Sequence, residues 1–143
     1  MYKRQANAAA DLRECFGSGY SSVKVYMTYD ALKLKDDELL DVLALCRAHG
    51  AMVMVHAESS DLIAWITRRL LSAEKISAKY HAVARPALAE REAAHRAITF
   101  AEFIGTPRMR SAPTAERSHR SAATLWLRGC VWEAVSEATP RSL

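Results

Sequence analysis

Two stretches decide the fold: Ser22-Val23-Lys24-Val25-Tyr26-Met27-Thr28-Tyr29, and Ala51-Met52-Val53-Met54-Val55-His56-Ala57-Glu58. In the first, Val23, Val25 and Met27 alternate with Lys24, Tyr26 and Thr28, the period of a strand with two different faces, and Tyr29 follows at its end. In the second, residues 51–55 are an uninterrupted apolar run of the buried parallel type, and His56 stands at its C-terminal end. Asp36–His49 between them predicts a helix, with Asp36 as N-cap and Asp37 and Glu38 in a first turn that favours acids. Its apolar stripe is Leu39, Leu40, Val42, Leu43 and Cys46, and Gly50 closes it at the left-handed position. Strand, helix and strand make a β-α-β unit with parallel strands. Both strands then end on the same side of the sheet, which brings Lys24 toward His56 at the edge where α/β folds build their sites.

The 143 residues are enough for one domain with an ordinary core. Half are hydrophobic and a quarter charged, a globular composition rather than a disordered or membrane-spanning one. No apolar run approaches the roughly 18 residues of a membrane-crossing helix, and no signal peptide opens the chain. Cys15, Cys46 and Cys130 have no metal-type spacing and read as reduced thiols of a cytoplasmic protein. The formal charge of +4 is concentrated at one end: residues 108–143 carry six arginines, three glutamates, no lysine and no aspartate. That distribution argues against a nucleic-acid-binding surface on the structured part, and the composition break near Pro107 matters more than the net charge.

Elsewhere, residues 6–16 form a short helix, and Gly17 and Gly19 mark the turn into the first strand. A second amphipathic helix covers about residues 62–71, and residues 72–85 read as a polar excursion. Pro86 restarts a helix that ends at Gly105. Thr106-Pro107 is the place for a further strand, yet residues 108–120 show no period; residues 125–135 suggest a weak helix with Trp126 and Trp132.

Lys24 has two readings: the exposed side of a half-buried strand, or part of a site. His56 likewise is either a hydrogen-bonded structural residue or a ligand. A lysine with a normal pKa stays protonated and binds no metal; burial near cations lowers it, and the neutral amine then adds carbon dioxide to give a carbamate. A carbamate bridges two divalent ions at the spacing of two-metal hydrolysis, and a neighbouring imidazole binds one of them.

The segments Val23 through Tyr29, then Val55-His56-Ala57-Glu58, then Tyr80-His81-Ala82 with Arg85-Pro86, Glu90, Glu92-Ala93 and Arg96-Ala97-Ile98, resemble the hydantoinase and dihydropyrimidinase family of the amidohydrolase superfamily. The resemblance covers about residues 6–107. It implies an α/β fold, part of a (β/α)8 TIM barrel comprising about the fourth and fifth strands with their helices, incomplete at both ends. It also implies a hydrolase that opens hydantoin or dihydropyrimidine rings by metal-bound hydroxide. By the same resemblance Lys24 is the carboxylated lysine bridging two Zn2+ ions, His56 binds one of them, and Tyr29 supports the developing oxyanion of a small cyclic amide substrate. The resemblance carries the expectation of a parent that is a homotetramer or homodimer, with no nucleic-acid or membrane partner. His81 and Arg85-Pro86 are expected to hold the polar excursion against the next helix, and His49 and His95 to face solvent.

Ser59 stands where the family often has asparagine. The family's upstream His-x-His pair, downstream histidine and aspartate have no counterpart here; His119 lies too far from Pro107 to serve. With two ligands only, the 143-residue chain is expected to be inactive and to bind zinc weakly. Residues 1–5 resemble a translated sequencing adapter and are expected to be a non-native leader. Residues 6–107 are then the partial barrel domain, and residues 108–143 an irregular tail resembling an out-of-frame reading. Allantoinase and dihydroorotase are neighbouring enzyme readings, although Tyr26-Met27-Thr28-Tyr29 favours the hydantoinase branch. A non-enzymatic scaffold relative is a further alternative, which Lys24 together with His56 speaks against. A basic nucleic-acid-binding protein rests on the arginine-rich tail alone.

Overall fold

A computed structural model of the protein describes residues 8–106, and the backbone of residues 108–111 and 131–132. The order is α1 (Ala8–Gly17), β1 (Ser22–Tyr26), α2 (Asp36–His49), β2 (Met52–His56), α3 (Ser60–Ser72), α4 (Tyr80–Ala84), α5 (Ala87–Ile104), β3 (Arg108–Ser111) and β4 (Val131–Trp132). The strands form one sheet in the order β1-β2-β3-β4, every neighbouring pair parallel. The α/β class and the β-α-β unit stand as expected.

The register of β1 on β2 is direct: Val23 opposite Val53, Lys24 opposite Met54, Val25 opposite Val55 and Tyr26 opposite His56. Because side chains alternate, this register gives the sheet two unlike faces. Val23, Val25, Val53 and Val55 are buried in the core with Leu12 of α1, Leu39, Val42, Leu43 and Cys46 of α2, and Ala93, Ala97 and Ala101 of α5. Lys24, Tyr26, Met52, Met54 and His56 occupy the opposite, half-buried face.

Two helices end as their sequences require. Gly50 and Gly105 take left-handed conformations with φ 63° and 73°, the C-terminal stop that residues with a Cβ adopt at a cost. A Cβ on Gly105 would also meet the Arg47 guanidinium at 3.4 Å, and that guanidinium donates to the Ile104 carbonyl. At its other end α2 starts differently from expectation. Asp36 is its first helical residue rather than its N-cap, and Glu38 reaches back to accept the Lys35 N–H at 2.7 Å.

Three other departures concern the less periodic parts. The excursion contains the short helix α4, whose five residues are too few to show a period. The stretch after Pro107, expected to be irregular, begins with β3, in register with β2 from Val53 opposite Met109 to Val55 opposite Ser111. Its Arg-Met-Arg-Ser sequence carries no apolar run; a central strand such as β2 nevertheless offers N–H and C=O groups on both edges, and β3 satisfies the second. Val131–Trp132, within the expected weak helix, is a strand pairing with β3 for the same reason. The leader at residues 1–5, Pro107, His119 and the remainder of the tail lie outside the described residues. No helix among the described residues is long and apolar enough to cross a membrane.

Candidate active site

The strand ends β1 and β2 carry the candidate residues on one face of the sheet. Tyr26 and His56, opposite in register, place their rings 5.6 Å apart and nearly parallel, at 28°. Tyr29 comes in from the turn after β1, its ring 5.3 Å from His56 and 6.1 Å from Tyr26. Lys24 also reaches this aromatic group, its Nζ 5.9 Å from the Tyr26 ring. The structure thus joins Tyr29 directly to His56, and Lys24 to both through Tyr26.

Tyr29 owes its position to an unusual backbone. Its φ is 67°, in the left-handed region that costs a residue with a Cβ roughly 1–2 kcal/mol. The turn that imposes it is well tied: the Tyr29 carbonyl accepts the N–H groups of Leu32 and Lys33 at 2.7 and 2.8 Å. Lys33 then pairs with Asp30 and donates to Ser60 Oγ at 2.9 Å, anchoring the turn to the start of α3. The hydrogen bond from Lys33, and then its charge, hold the Asp30 carboxyl below its ordinary value.

Two residues not singled out as site residues from the sequence complete the arrangement. Glu58 lies two positions beyond His56 and is buried; its Oε2 is 3.0 Å from His56 Nε2 and also accepts from Arg85 Nη1. Arg85 follows α4 and stacks its guanidinium 5.2 Å from the Tyr29 ring. Arg85, expected to hold the excursion against the next helix, ties it to the end of β2 through Glu58. His81, given the same task, is instead exposed and lines an open cavity of about 320 Å³ together with Tyr29, Glu58, Arg85 and Glu90. His49 and His95 are exposed on their helices. The signal that would have marked Glu58 is its spacing from His56, and the one for Arg85 its place beside Pro86 at the restart of a helix.

The chemistry of this donor set is partial. Lys24 and His56 share a face, but no group of three or more His, Cys, Asp or Glu side chains among the described residues is placed to hold a metal ion. The pair fits one side of a metal centre and does not enclose an ion on its own.

A parallel α/β segment with an amine and an imidazole on one sheet face and a phenol packed on the imidazole is the class that fold and site define. No family model matches the chain. Among curated proteins it is similar to a dihydropyrimidinase of Arabidopsis thaliana, 39% identical over 90 residues, and to a D-hydantoinase of Geobacillus stearothermophilus, 38% identical over 89 residues. Each match covers 62% of this chain, and 17% and 19% of those proteins. Among solved structures, the D-hydantoinase (dihydropyrimidinase) from Thermus sp. superposes with a TM-score of 0.84 at 26% identity, over 94% of this chain and 30% of that one. The resemblance to hydantoinases and dihydropyrimidinases is borne out, and the chain spans about a fifth of the length of the curated relatives it matches.

Proposed function

We propose that the chain is part of a cyclic amide hydrolase of the D-hydantoinase or dihydropyrimidinase type, and that it carries one side of the active site. The observation that supports this most is the strand register, which sets Lys24, Tyr26 and His56 on one half-buried face with Tyr29 closing over His56. The reading includes a partial (β/α)8 barrel. Consecutive strands lie side by side in chain order, all parallel, and α1, α2 and α5 pack on one face, as in a barrel wall. A doubly wound sheet instead reverses its strand order and carries helices on both faces.

In this reading Lys24, as a carbamate, and His56, through a ring nitrogen, would hold two Zn2+ ions together with residues supplied by the rest of a longer parent. When bound, the ions supply Lewis-acid activation and a nucleophile at neutral pH. Tyr29 directs its hydroxyl to the amide carbonyl oxygen of the ring as that oxygen gains charge, a preorganised donor for a developing oxyanion. The Tyr26 and Tyr29 rings form an apolar wall suited to a small planar ring such as a hydantoin or dihydropyrimidine. A cytoplasmic setting and a homotetrameric or homodimeric parent belong to the same reading.

The test is a chimera in which residues 8–106 replace the matching segment of a D-hydantoinase. The chimera is expected to open hydantoin or dihydrouracil, and Lys24→Ala in it to abolish that activity. A folded chimera with no ring-opening activity would refute the reading. The 143-residue chain alone is expected to bind zinc weakly and to leave hydantoin intact; robust hydrolysis by it would contradict the division of the site proposed here.

A further inference from the structure

We infer that Glu58, locked by Arg85, is a positioning residue that fixes the tautomer of His56 and so decides which ring nitrogen is left to bind a ligand. The inference rests on the metal-binding reading of His56 for its purpose, although not for its geometry. Glu58 Oε2 takes two partners at once, His56 Nε2 at 3.0 Å and Arg85 Nη1. Its side chain is 6% exposed and that of His56 13%, so neither exchanges these contacts freely for water.

A guanidinium is permanently charged and can only donate; paired with it, Glu58 is a carboxylate that can only accept. The group on His56 facing that oxygen must therefore be N–H. In a neutral imidazole one nitrogen donates and the other accepts, so protonation at Nε2 leaves Nδ1 with its lone pair free. The ring cannot easily turn over to exchange the two, since Tyr26 lies nearly parallel to it and Tyr29 tilts against it. A carboxylate behind a ligating imidazole is the arrangement that orients such ligands and raises their basicity. Here the carboxylate is itself held by a third residue, Arg85, whose guanidinium also packs on Tyr29.

The experiment is nitrogen-15 NMR of the histidine rings in the full 143-residue chain, recorded at alkaline pH on the neutral rings. His56 is identified by its loss in His56→Gln. The unsubstituted chain is expected to show His56 protonated at Nε2, and a ring protonated at Nδ1 would overturn the inference without any variant being needed. Glu58→Ala is expected to remove the preference and Glu58→Gln, which keeps a carbonyl acceptor, to retain it; a folded Glu58→Ala chain with an unchanged tautomer would also overturn it. Zinc added to the same samples separates this inference from the functional reading. Selective movement of the Nδ1 resonance, weakened by about 10–100-fold in affinity in Glu58→Ala, supports both. The expected tautomers with no response to zinc would uphold the positioning role and count against the metal reading.

Discussion

Glu58 concentrates two interactions on one oxygen in a place that solvent barely reaches, and residues of that kind are costly to disturb. Removing its partner in Arg85→Ala leaves a buried carboxylate poorly compensated, with an expected loss of about 3–5 kcal/mol in urea unfolding. Arg85→Lys keeps the charge without the planar fork and is expected to cost less. A loss under about 1 kcal/mol for Arg85→Ala would mean that water replaces the guanidinium at no great expense. Cys46 makes the opposite case, a buried group with no charge to satisfy. Burial pushes its thiol from 9.0 up to about 11. Above pH 9.0 the unfolded chain loses this proton while the folded chain keeps it, so stability falls as pH rises from 9.0 toward about 11. Thiol labelling mapped by mass spectrometry is expected to modify the exposed Cys15 in the native chain and Cys46 only after unfolding.

Among the elements, α5 shows how composition sets packing distance. Ala89, Ala93, Ala97 and Ala101 recur every four residues and are all buried, which lets α5 lie close to the sheet and α2. Ala97→Leu adds volume to a space with no room for it and is expected to cost about 1–3 kcal/mol, read as a lower Tm. This stripe, like the alternation in β1 and the apolar run of β2, was legible because burial imposes a period on the sequence. β3 imposes none: it forms because β2 needs a partner on its second edge, a demand written in the backbone of another strand. The helix start at Lys35 was misplaced for a related reason, since Asp36 is a fitting cap by type while Glu38 does the capping. At the site, the strand pattern brought Lys24 and His56 to one sheet with two readings each, and the family resemblance added Tyr29. Glu58 and Arg85 meet across 27 residues of chain, a pairing that no local pattern encodes.

For the molecule as a whole, the uneven distribution of apolar surface matters most. α3 buries none of its residues, and Trp65, Leu71 and Leu62 are open to solvent, as is Phe103 at the end of α5. β1 also lies at the edge of the sheet among the described residues, its outer side covered in part by the bridge from Tyr26 to Lys33 and by the Leu34 N–H on the Tyr26 carbonyl. Sedimentation velocity on the isolated chain is expected to show species that grow with concentration, and Trp65→Glu with Leu71→Lys to reduce them. A monodisperse monomer across the concentration range would show that these surfaces are individually too small to drive association.

The stretch between α3 and α4, residues 73–79, is exposed throughout, yet it sets where Arg85 arrives. Chain length there is consequently an adjustable dimension of the site. Adding or deleting a residue would leave every core contact in place while shifting the guanidinium along the Glu58 carboxylate and the face of Tyr29. A surface segment free to vary thus offers a way to retune the imidazole from a distance, with the sheet that carries it unaltered.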